Sequence, residues 1–225
     1  MHRRLISVLA TTASAVALAM SASAAPFQNG SFEAGTLNST GTFDTLAAGS
    51  TVITGWTVVG NGIDYIGALW PASQGSRSLD LLSCGVSGGV AQTFDTTAGV
   101  TYLVTFSLAG NPDGGVKTLT VSAASNTQSY TFNTAGFSNS NVGWSSQSFA
   151  FTATASSTTL TFLGGVLGGG SSCAGSALDN VAVAPANGPA SAVPAGGGLA
   201  AVLLAGAGLA ALARRRMRAS SDFAA

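Results

Sequence analysis

The feature that most constrains the fold is a repeated period-two alternation of apolar residues with threonine or serine. The alternating runs are short and are separated by clusters of Gly, Asn, Asp and Ser, of which the clearest lies at residues 111–115. Such alternation is typical of strands with one buried face, and such clusters are typical of turns. We therefore predict an all-β sandwich with strands at residues 52–59, 77–82, 90–94, 102–108, 117–121, 130–132, 148–152 and 159–163.

Charged residues are scarce and unevenly distributed along the chain. They make up 7% of the sequence, against about 25% in ordinary soluble domains. Arg77 and Lys117 are the only basic residues between positions 25 and 184, a stretch that holds seven acidic residues. A protein that binds nucleic acid needs basic side chains to neutralise phosphates. The composition therefore excludes nucleic acid as a partner.

The first 24 residues have the organisation of a secretory signal peptide. Arg3 and Arg4 precede an uncharged apolar stretch over residues 5–20, which ends in the small-residue sequence Ala22-Ser23-Ala24. A basic start, a short apolar segment and a small-x-small site are typical of a cleaved export signal. We expect cleavage after Ala24. The alternative is an N-terminal membrane anchor, which needs about 20 apolar residues and no cleavage site.

A second apolar segment lies at residues 195–213 and carries no charge. At 1.5 Å per residue a helix of this length spans about 28 Å, which is close to the thickness of the bilayer core. Arginines at positions 214, 215, 216 and 218 follow it, and such clusters remain cytoplasmic. We predict a transmembrane helix at 195–213 and a basic cytoplasmic tail at 214–225. A buried Ala/Gly-rich core helix is the alternative, although the arginine cluster does not favour it.

Residues 185–194 are rich in Pro, Ala and Gly, and we interpret them as a linker. Together with the apolar span and with Arg214, Arg215 and Arg216, the segment around Val193 and Pro194 resembles the sorting tails of the bacterial PEP-CTERM class. Val193-Pro194 stands where that class has Pro-Glu-Pro. The resemblance implies recognition by an exosortase-like membrane enzyme. Anchoring in the inner membrane would then be transient or lasting, depending on whether the tail is cleaved.

The residue types needed for most catalytic sites are missing from residues 25–184. His2 is the only histidine, so this stretch has no Ser–His or Cys–His pair and no imidazole metal ligand. Seven acids leave a paired-carboxylate glycosidase formally open. However, Glu33 is the only glutamate, and isolated aspartates beside Gly, Asn or Thr are usually turn residues. We expect a protein that is not an enzyme.

The chain has two cysteines, Cys84 and Cys173, and both are flanked by small residues. Export would place them in an oxidising compartment, where paired cysteines usually form a structural disulfide. A catalytic thiol is the alternative, but no base is available to activate it. We predict a Cys84–Cys173 bond between two strand ends at one rim of the sandwich.

Eight sequence blocks follow one another in a characteristic order, at residues 29–33, 53–58, 63–67, 74–81, 88–94, 101–112, 142–144 and 177–181. In these blocks the chain resembles the bacterial choice-of-anchor C family, which is related to plant cell-wall proteins containing domain of unknown function 642. The resemblance covers about residues 27–184 and implies a galactose-binding-like jelly roll that associates with polysaccharide.

Related carbohydrate-binding jelly rolls hold a structural calcium where their first and last strands meet. By that resemblance, Glu33 near the start of the domain and Asp179 near its end are candidate calcium ligands. Calcium takes six to eight oxygen ligands, and two carboxylates with loop carbonyls would begin such a shell. In the alternative, Glu33 caps a turn and Asp179 accepts hydrogen bonds from backbone amides.

Sugar binding needs exposed aromatic rings together with amides or carboxylates. Trp70 lies in a predicted loop and is the best candidate for an exposed ring, although a loop tryptophan can also plug the end of a sandwich. Asp64 and Tyr65 flank the same loop, and Trp144 follows a Gly-Asn-rich turn. Trp56 lies within a predicted strand, so we expect it in the core.

Two functions remain after these exclusions. In the first, the chain is an exported, non-catalytic domain that binds extracellular polysaccharide at the cell-envelope surface or in the matrix. In the second, it is a structural surface protein that contacts other matrix proteins without binding sugar.

Overall fold

The computed structural model describes residues 25–38, 41–84, 87–167 and 173–186. The predicted signal peptide at 1–24, the sorting residues Val193 and Pro194, the apolar span at 195–213 and the basic tail lie outside these residues. Within them, no helix is long and apolar enough to cross a membrane.

Eleven strands occur in the described residues, and they pair antiparallel in two sheets. The six-stranded sheet has the order β1-β3-β4-β11-β6-β9, and the five-stranded sheet has the order β2-β5-β10-β7-β8. The predicted all-β sandwich is therefore confirmed. The strands are β1 (Phe43–Leu46), β2 (Thr57–Gly60), β3 (Ile63–Ile66), β4 (Ser78–Asp80), β5 (Gly88–Asp95), β6 (Thr101–Gly110), β7 (Val116–Ala123), β8 (Asn126–Asn133), β9 (Ser145–Thr152), β10 (Ser157–Leu167) and β11 (Ser176–Pro185).

The core lies between the two sheets and is rich in aromatic residues. Along β7 every second residue is buried, which places Leu119 and Val121 in the core and the Thr and Ser residues between them on the outer face. Trp56 is 1% exposed and packs against Phe32 and Phe162, as expected for a core residue. Burial of each large apolar side chain stabilises the fold by about 1.5–3 kcal/mol.

Two predicted strands are shorter than expected. The run at 77–82 forms a strand only over Ser78–Asp80. The run at 52–59 forms a strand only from Thr57, because Gly55 adopts a φ of +83° and turns the chain immediately before Trp56. Three strands lie outside the runs that the alternation predicted. β1 and β3 pair with each other at the edge of the six-stranded sheet, and β11 lies between β4 and β6 in the same sheet.

The outer face of the six-stranded sheet is partly covered by two loops, residues 67–77 and 134–144. Trp70 from the first loop and Val142 from the second form a small apolar cluster with Ile66, Ala109 and Ala177 of the sheet. This second layer of packing gives the outer face a shaped surface rather than a flat one.

The segment that precedes β1 packs against a bulge in β11. The register of β11 shifts between Asp179 and Ala182, and Asn180 has a φ of +51°. At this bulge Val181 donates its backbone N–H to the carbonyl of Gly30 at 2.8 Å. A Cβ atom on Gly30 would overlap the Val181 carbonyl oxygen, so the close approach requires glycine. The contact brings the start and the end of the domain together.

Cys84 and Cys173 form a disulfide, as predicted. Cys84 follows β4 and Cys173 precedes β11, the strand that pairs with β4 in the sheet. The bond closes a loop with a sequence separation of 89 residues. It therefore ties the segment before β11 to the end of β4.

Removal of this bond is expected to lower the free energy of unfolding by about 4 kcal/mol, because the unfolded chain gains the freedom of a long loop. The test compares urea denaturation of the wild type with that of the Cys84→Ser/Cys173→Ser double variant. Addition of reductant should destabilise the wild type and leave the double variant unchanged. Equal midpoints for oxidised and reduced wild type would contradict the expectation.

Candidate functional site

The loop between β3 and β4 is held in place by the carboxylate of Glu33. Its Oε1 accepts the backbone N–H groups of Ser76 at 2.8 Å and Arg77 at 2.7 Å, and its Oε2 accepts the Ser76 hydroxyl at 2.9 Å. Gly75, with a φ of +68°, lies against the same carboxylate, where a Cβ atom would collide with it. The carboxylate thus fixes the course of residues 75–77.

Asp179 holds the preceding part of the same loop from within the sheet. Its Oδ2 accepts the backbone N–H of Gln74 at 2.8 Å, and its Oδ1 accepts the N–H of Asn180 at 2.6 Å. The Asp179 side chain is fully buried, and this burial raises its pKa to about 7. Glu33 and Asp179 therefore meet at one loop, as their assignment to a common site predicted.

The carboxylate oxygens of Glu33 and Asp179 have hydrogen-bond partners without a metal ion, so calcium binding by these two residues stays a prediction. Each of the four carboxylate oxygens of Glu33 and Asp179 accepts a hydrogen bond from an N–H or O–H group. Calcium needs six to eight oxygens with lone pairs directed at the ion. No group of three or more His, Cys, Asp or Glu side chains suited to a metal occurs among the described residues. The contacts instead favour the alternative, in which Glu33 caps a turn and Asp179 accepts backbone amides.

A second buried carboxylate, Asp80 of β4, lies opposite Ala177 in β11, two residues before Asp179, and holds other segments of the chain. Its Oδ1 accepts the N–H groups of Gly175 at 2.8 Å and Leu82 at 3.2 Å, and its Oδ2 accepts the Asn111 amide at 2.7 Å. Burial is the main reason that its pKa is raised to about 7. Asp80 thus connects β4 to the segments before β11 and after β6.

Asp64 lies beside Asp80, since the two residues are paired across β3 and β4. Asp64 is only partly buried, and its Oδ1 accepts the Thr45 hydroxyl at 2.6 Å. Partial burial raises its pKa above the usual value. Asp64 therefore faces an open space that Asp80 does not reach.

Two adjoining cavities lie on this side of the six-stranded sheet, and we refer to them together as the outer-face groove. The smaller cavity, of about 390 Å³, contains Asp64. The larger, of about 670 Å³, contains Arg77. Leu69 and Asn139 line both cavities and so mark their common border. The smaller cavity is also lined by Phe43, Thr45, Asn111, Asp113 and the disulfide, and the larger by residues 67, 68, 70–72, 75 and 76 together with Gly41.

Two of the predicted sugar-contacting residues, Trp70 and Tyr65, do not present exposed aromatic rings. Trp70 is only 2% exposed, because the loop folds back over the sheet and its indole N–H donates to the Ser78 hydroxyl at 3.0 Å. Tyr65 is 0% exposed, because its ring faces the core and its hydroxyl donates to the Phe32 carbonyl at 2.6 Å. Trp70 forms the floor of the larger cavity, whereas Tyr65 is a core residue.

The other two predicted contacts lie nearer to solvent. Asp64 lines the smaller cavity. Trp144 is partly buried against the outer apolar cluster, and its indole N–H donates to the Pro71 carbonyl at 2.9 Å. Trp144 therefore joins the two covering loops to each other and does not line either cavity.

Several groove residues were not predicted from the sequence. Phe43 lies in a strand that the alternation missed, and Asn139 lies in the Ser-Asn repeat at 138–141. Asn111 was assigned to a turn, but its amide also holds Asp80. An exposed aromatic residue beside an unpredicted strand and amides in polar loops are weak signals, and only the fold brings them together.

The paired carboxylates do not form a glycosidase site. A general acid must reach the bond that it protonates. Asp80 is 1% exposed, three N–H groups surround it, and it lines neither cavity. Only Asp64 of this pair is accessible to a ligand.

The family assignment rests on the sequence of the whole sandwich. The model of the family described as "Protein of unknown function (DUF642)" matches residues 25–184. The chain belongs to this family. The predicted resemblance to proteins with domain of unknown function 642 is thereby confirmed. The matched DUF642 region includes Glu33, Arg77 and Asp179.

This DUF642 chain is 32% identical over 167 residues to Halomucin from Haloquadratum walsbyi. The match covers 72% of the chain but only 2% of Halomucin. Among solved structures, a carbohydrate-binding module named TmCBM61, in complex with β-1,4-galactotriose, is 20% identical and has a TM-score of 0.42. That match covers 72% of this chain and 99% of TmCBM61. The CBM35 module from Paenibacillus barcinonensis is 17% identical with a TM-score of 0.40, over 63% of this chain and 98% of the module. Structural similarity at these TM-scores and sequence identities gives no information about function.

Chelation of divalent cations is expected to leave the melting temperature of the protein unchanged. The reason is that the oxygens of Glu33 and Asp179 are already occupied by hydrogen-bond donors. The measurement is differential scanning calorimetry in EDTA and in millimolar CaCl₂, with a Glu33→Gln variant as the comparison. A calcium-dependent rise in melting temperature that the variant loses would contradict the expectation.

Stability is expected to fall as the pH rises from about 4 to 7. In the folded protein Asp80 and Asp179 keep their protons up to a pH of about 7, whereas in the unfolded chain they lose them near 3.8. Between these values the folded state binds more protons, so each group lowers the free energy of unfolding by about 1.4 kcal/mol per pH unit. Urea denaturation at several pH values measures the slope.

The matched variant for this measurement is Asp80→Asn, which removes one titrating group and keeps the shape of the side chain. It should reduce the slope by roughly half. A free energy of unfolding that rises between pH 4.5 and pH 7 in the wild type would refute the assignment of two protonated buried aspartates.

Proposed function

We propose that this domain is a non-catalytic polysaccharide-binding module whose ligand lies in the outer-face groove. The observation that supports this most strongly is the smaller cavity, in which a carboxylate, amides, a hydroxyl and an exposed aromatic ring surround one space. Sugars present hydroxyl groups at their edges and C–H groups on their faces. This set of side chains can contact both kinds of group.

Asp64 is the central acceptor in this proposal. Its Oδ1 is held by Thr45, while its Oδ2 accepts no hydrogen bond from any described residue. An anchored carboxylate with a second oxygen directed to a cavity can accept a charge-assisted hydrogen bond from a sugar hydroxyl. Asn139, which is exposed on the opposite side, can donate and accept through its amide.

Phe43 supplies the apolar surface of the site. It is 38% exposed and is therefore one of the few large apolar side chains of the described residues that reach solvent. Its ring borders the same cavity as Asp64, so a sugar that bonds to Asp64 can pack its C–H face on Phe43. Leu69 extends this apolar border towards the larger cavity.

We place the domain outside the cytoplasm, at the envelope surface or in the extracellular matrix. The disulfide supports this placement, since such bonds persist in oxidising compartments. The sequences at 1–24 and 191–218 support export, an exosortase-like partner and at least transient attachment to the membrane.

Substitution of Phe43 or Asp64 by alanine is expected to weaken polysaccharide binding about tenfold each, because a charge-assisted hydrogen bond or a stacked ring contributes roughly 1–3 kcal/mol. Candidate ligands are first found with an array of plant and microbial polysaccharides. Affinities of the wild type and the variants are then measured by affinity electrophoresis.

Leu103→Ala is the matched control, because Leu103 is 40% exposed on β6 and does not line the groove. It should bind like the wild type. If no polysaccharide on the array binds, or if binding is insensitive to both groove substitutions, the proposal fails. The function as a structural protein that contacts other matrix proteins would then be preferred.

A further inference from the structure

Arg77 is one of two basic residues in a domain that holds seven acidic residues. Lys117, the other basic side chain of the described residues, is fully buried and donates to the carbonyls of Gly114 and Ala174, each at 2.7 Å. Arg77 is only partly buried and lines the larger cavity of the groove. Among the described residues it is thus the one basic side chain that a ligand can reach.

The guanidinium group of Arg77 has no partner carboxylate. Glu33 accepts the backbone N–H of Arg77 and not its side chain. No ion pair within 4.0 Å joins Arg77 to any acidic residue that the structure describes. The guanidinium instead lies 5.9 Å from the centre of the Tyr65 ring, which is buried in the core. The ring fixes the position of the cation without neutralising its charge.

The guanidinium group packs closely against Gly67. A Cβ atom on Gly67 would lie 2.8 Å from Arg77 Nη1 and 2.6 Å from the carbonyl oxygen of Gly41. Gly41, Gly67 and Arg77 all border the larger cavity. Glycine at position 67 therefore allows Arg77 to lie at the wall of this cavity, where a larger residue would displace it.

The two ends of the groove have opposite charge. Arg77 lies in the larger cavity, and Asp64 and Asp113 lie in the smaller one. Arg77 is three residues before Asp80, the partner of Asp64 across the strand pair, so the backbones at these two positions are about 10 Å apart along the sheet. This backbone spacing exceeds the length of a single sugar ring, and the two groups line different cavities, so neighbouring sugars of one chain would meet different charges.

We propose that the polysaccharide recognised by this groove contains uronic acid residues interspersed with neutral sugars, and that Arg77 binds the uronate carboxylate. This inference rests on the proposed function and specifies its ligand. The planar guanidinium fork matches a carboxylate with two parallel hydrogen bonds. A neutral sugar occupies the smaller cavity, where a second carboxylate would be repelled by Asp64 and Asp113.

The inference distinguishes three classes of polymer. A fully neutral polysaccharide leaves the Arg77 guanidinium without a partner. A homopolymer of uronic acid places a negative charge against Asp64. A mixed polymer satisfies both ends of the groove, so it should bind more tightly than either of the others.

The test uses the full-length chain purified in a non-ionic detergent, since residues 195–213 are uncharged and apolar. The ligands are gellan, which contains glucuronic acid among neutral sugars, and carboxyl-reduced gellan, in which the same sugars are neutral. Polygalacturonate, a neutral galactan and a sulfated galactan complete the set. The variants are Arg77→Gln, Arg77→Lys and Asp64→Asn, and their melting temperatures are measured alongside binding.

Wild type is expected to bind gellan at least about tenfold more tightly than carboxyl-reduced gellan. Arg77→Gln should lose this difference and bind the reduced polymer like the wild type, and Arg77→Lys should keep only part of it. Asp64→Asn should weaken binding of both forms, which separates its role from that of Arg77.

Several outcomes would overturn the inference. Equal affinity of the wild type for the two forms of gellan, or an unchanged preference in Arg77→Gln, shows that Arg77 does not bind the carboxylate. Preferential binding of the sulfated galactan would show that the larger cavity binds sulfate groups and not carboxylates. If neutral polymers bind through Asp64 and Phe43 alone, the proposed function stands and the uronate inference fails. If none of the five polymers binds, the uronate inference fails, and binding on the polysaccharide array decides the proposed function separately.

Discussion

The placement of the loop between β3 and β4 over the outer face of the six-stranded sheet is the constraint on which the groove depends. Two carboxylates from distant parts of the chain hold that loop by accepting its backbone N–H groups. Glu33 binds Ser76 and Arg77, and Asp179 binds Gln74 from a position 105 residues away. These bonds satisfy backbone donors that would otherwise lack partners. The loop in turn brings Trp70 onto the sheet and Arg77 to the border of the larger cavity.

Burial of carboxylates has an energetic cost that the fold reduces in two ways. Backbone and amide N–H groups surround Asp80 and Asp179, and both groups keep a proton up to a pH of about 7. A neutral carboxylic acid costs far less to bury than a carboxylate ion. The β4–β11 strand pair and the segments around it are therefore organised by groups whose hydrogen bonding, and not whose charge, stabilises the fold.

The sequence was informative wherever one local pattern determines the outcome. Alternation predicted most strands of the core, and cysteine count with export predicted the disulfide. Alternation failed at β1 and β3, which have four residues each and lie next to each other in the sheet. It also failed at β11, where a bulge between Asp179 and Ala182 interrupts the period of two. A four-residue strand offers too few repeats to be recognised.

The prediction of the site failed for a different reason. An exposed tryptophan was expected because Trp70 lies in a loop, but the sheet has an apolar outer face that requires cover. Exposure of a loop side chain depends on what lies beneath the loop, and residues 66, 109 and 177 supply that surface from three separate strands. No local pattern shows that these three positions share a face.

The scarcity of charge makes the position of each charged side chain informative. Lys117 is enclosed by carbonyl groups, and Asp80 and Asp179 are enclosed by N–H groups, so none of the three can contact a ligand. Asp64, Asp113 and Arg77 remain accessible and all line the same groove. Charged side chains are normally spread over a protein surface for solubility. In this domain three of the few accessible charges converge on one concave surface, which is where a ligand with both hydroxyl and carboxylate groups would need them.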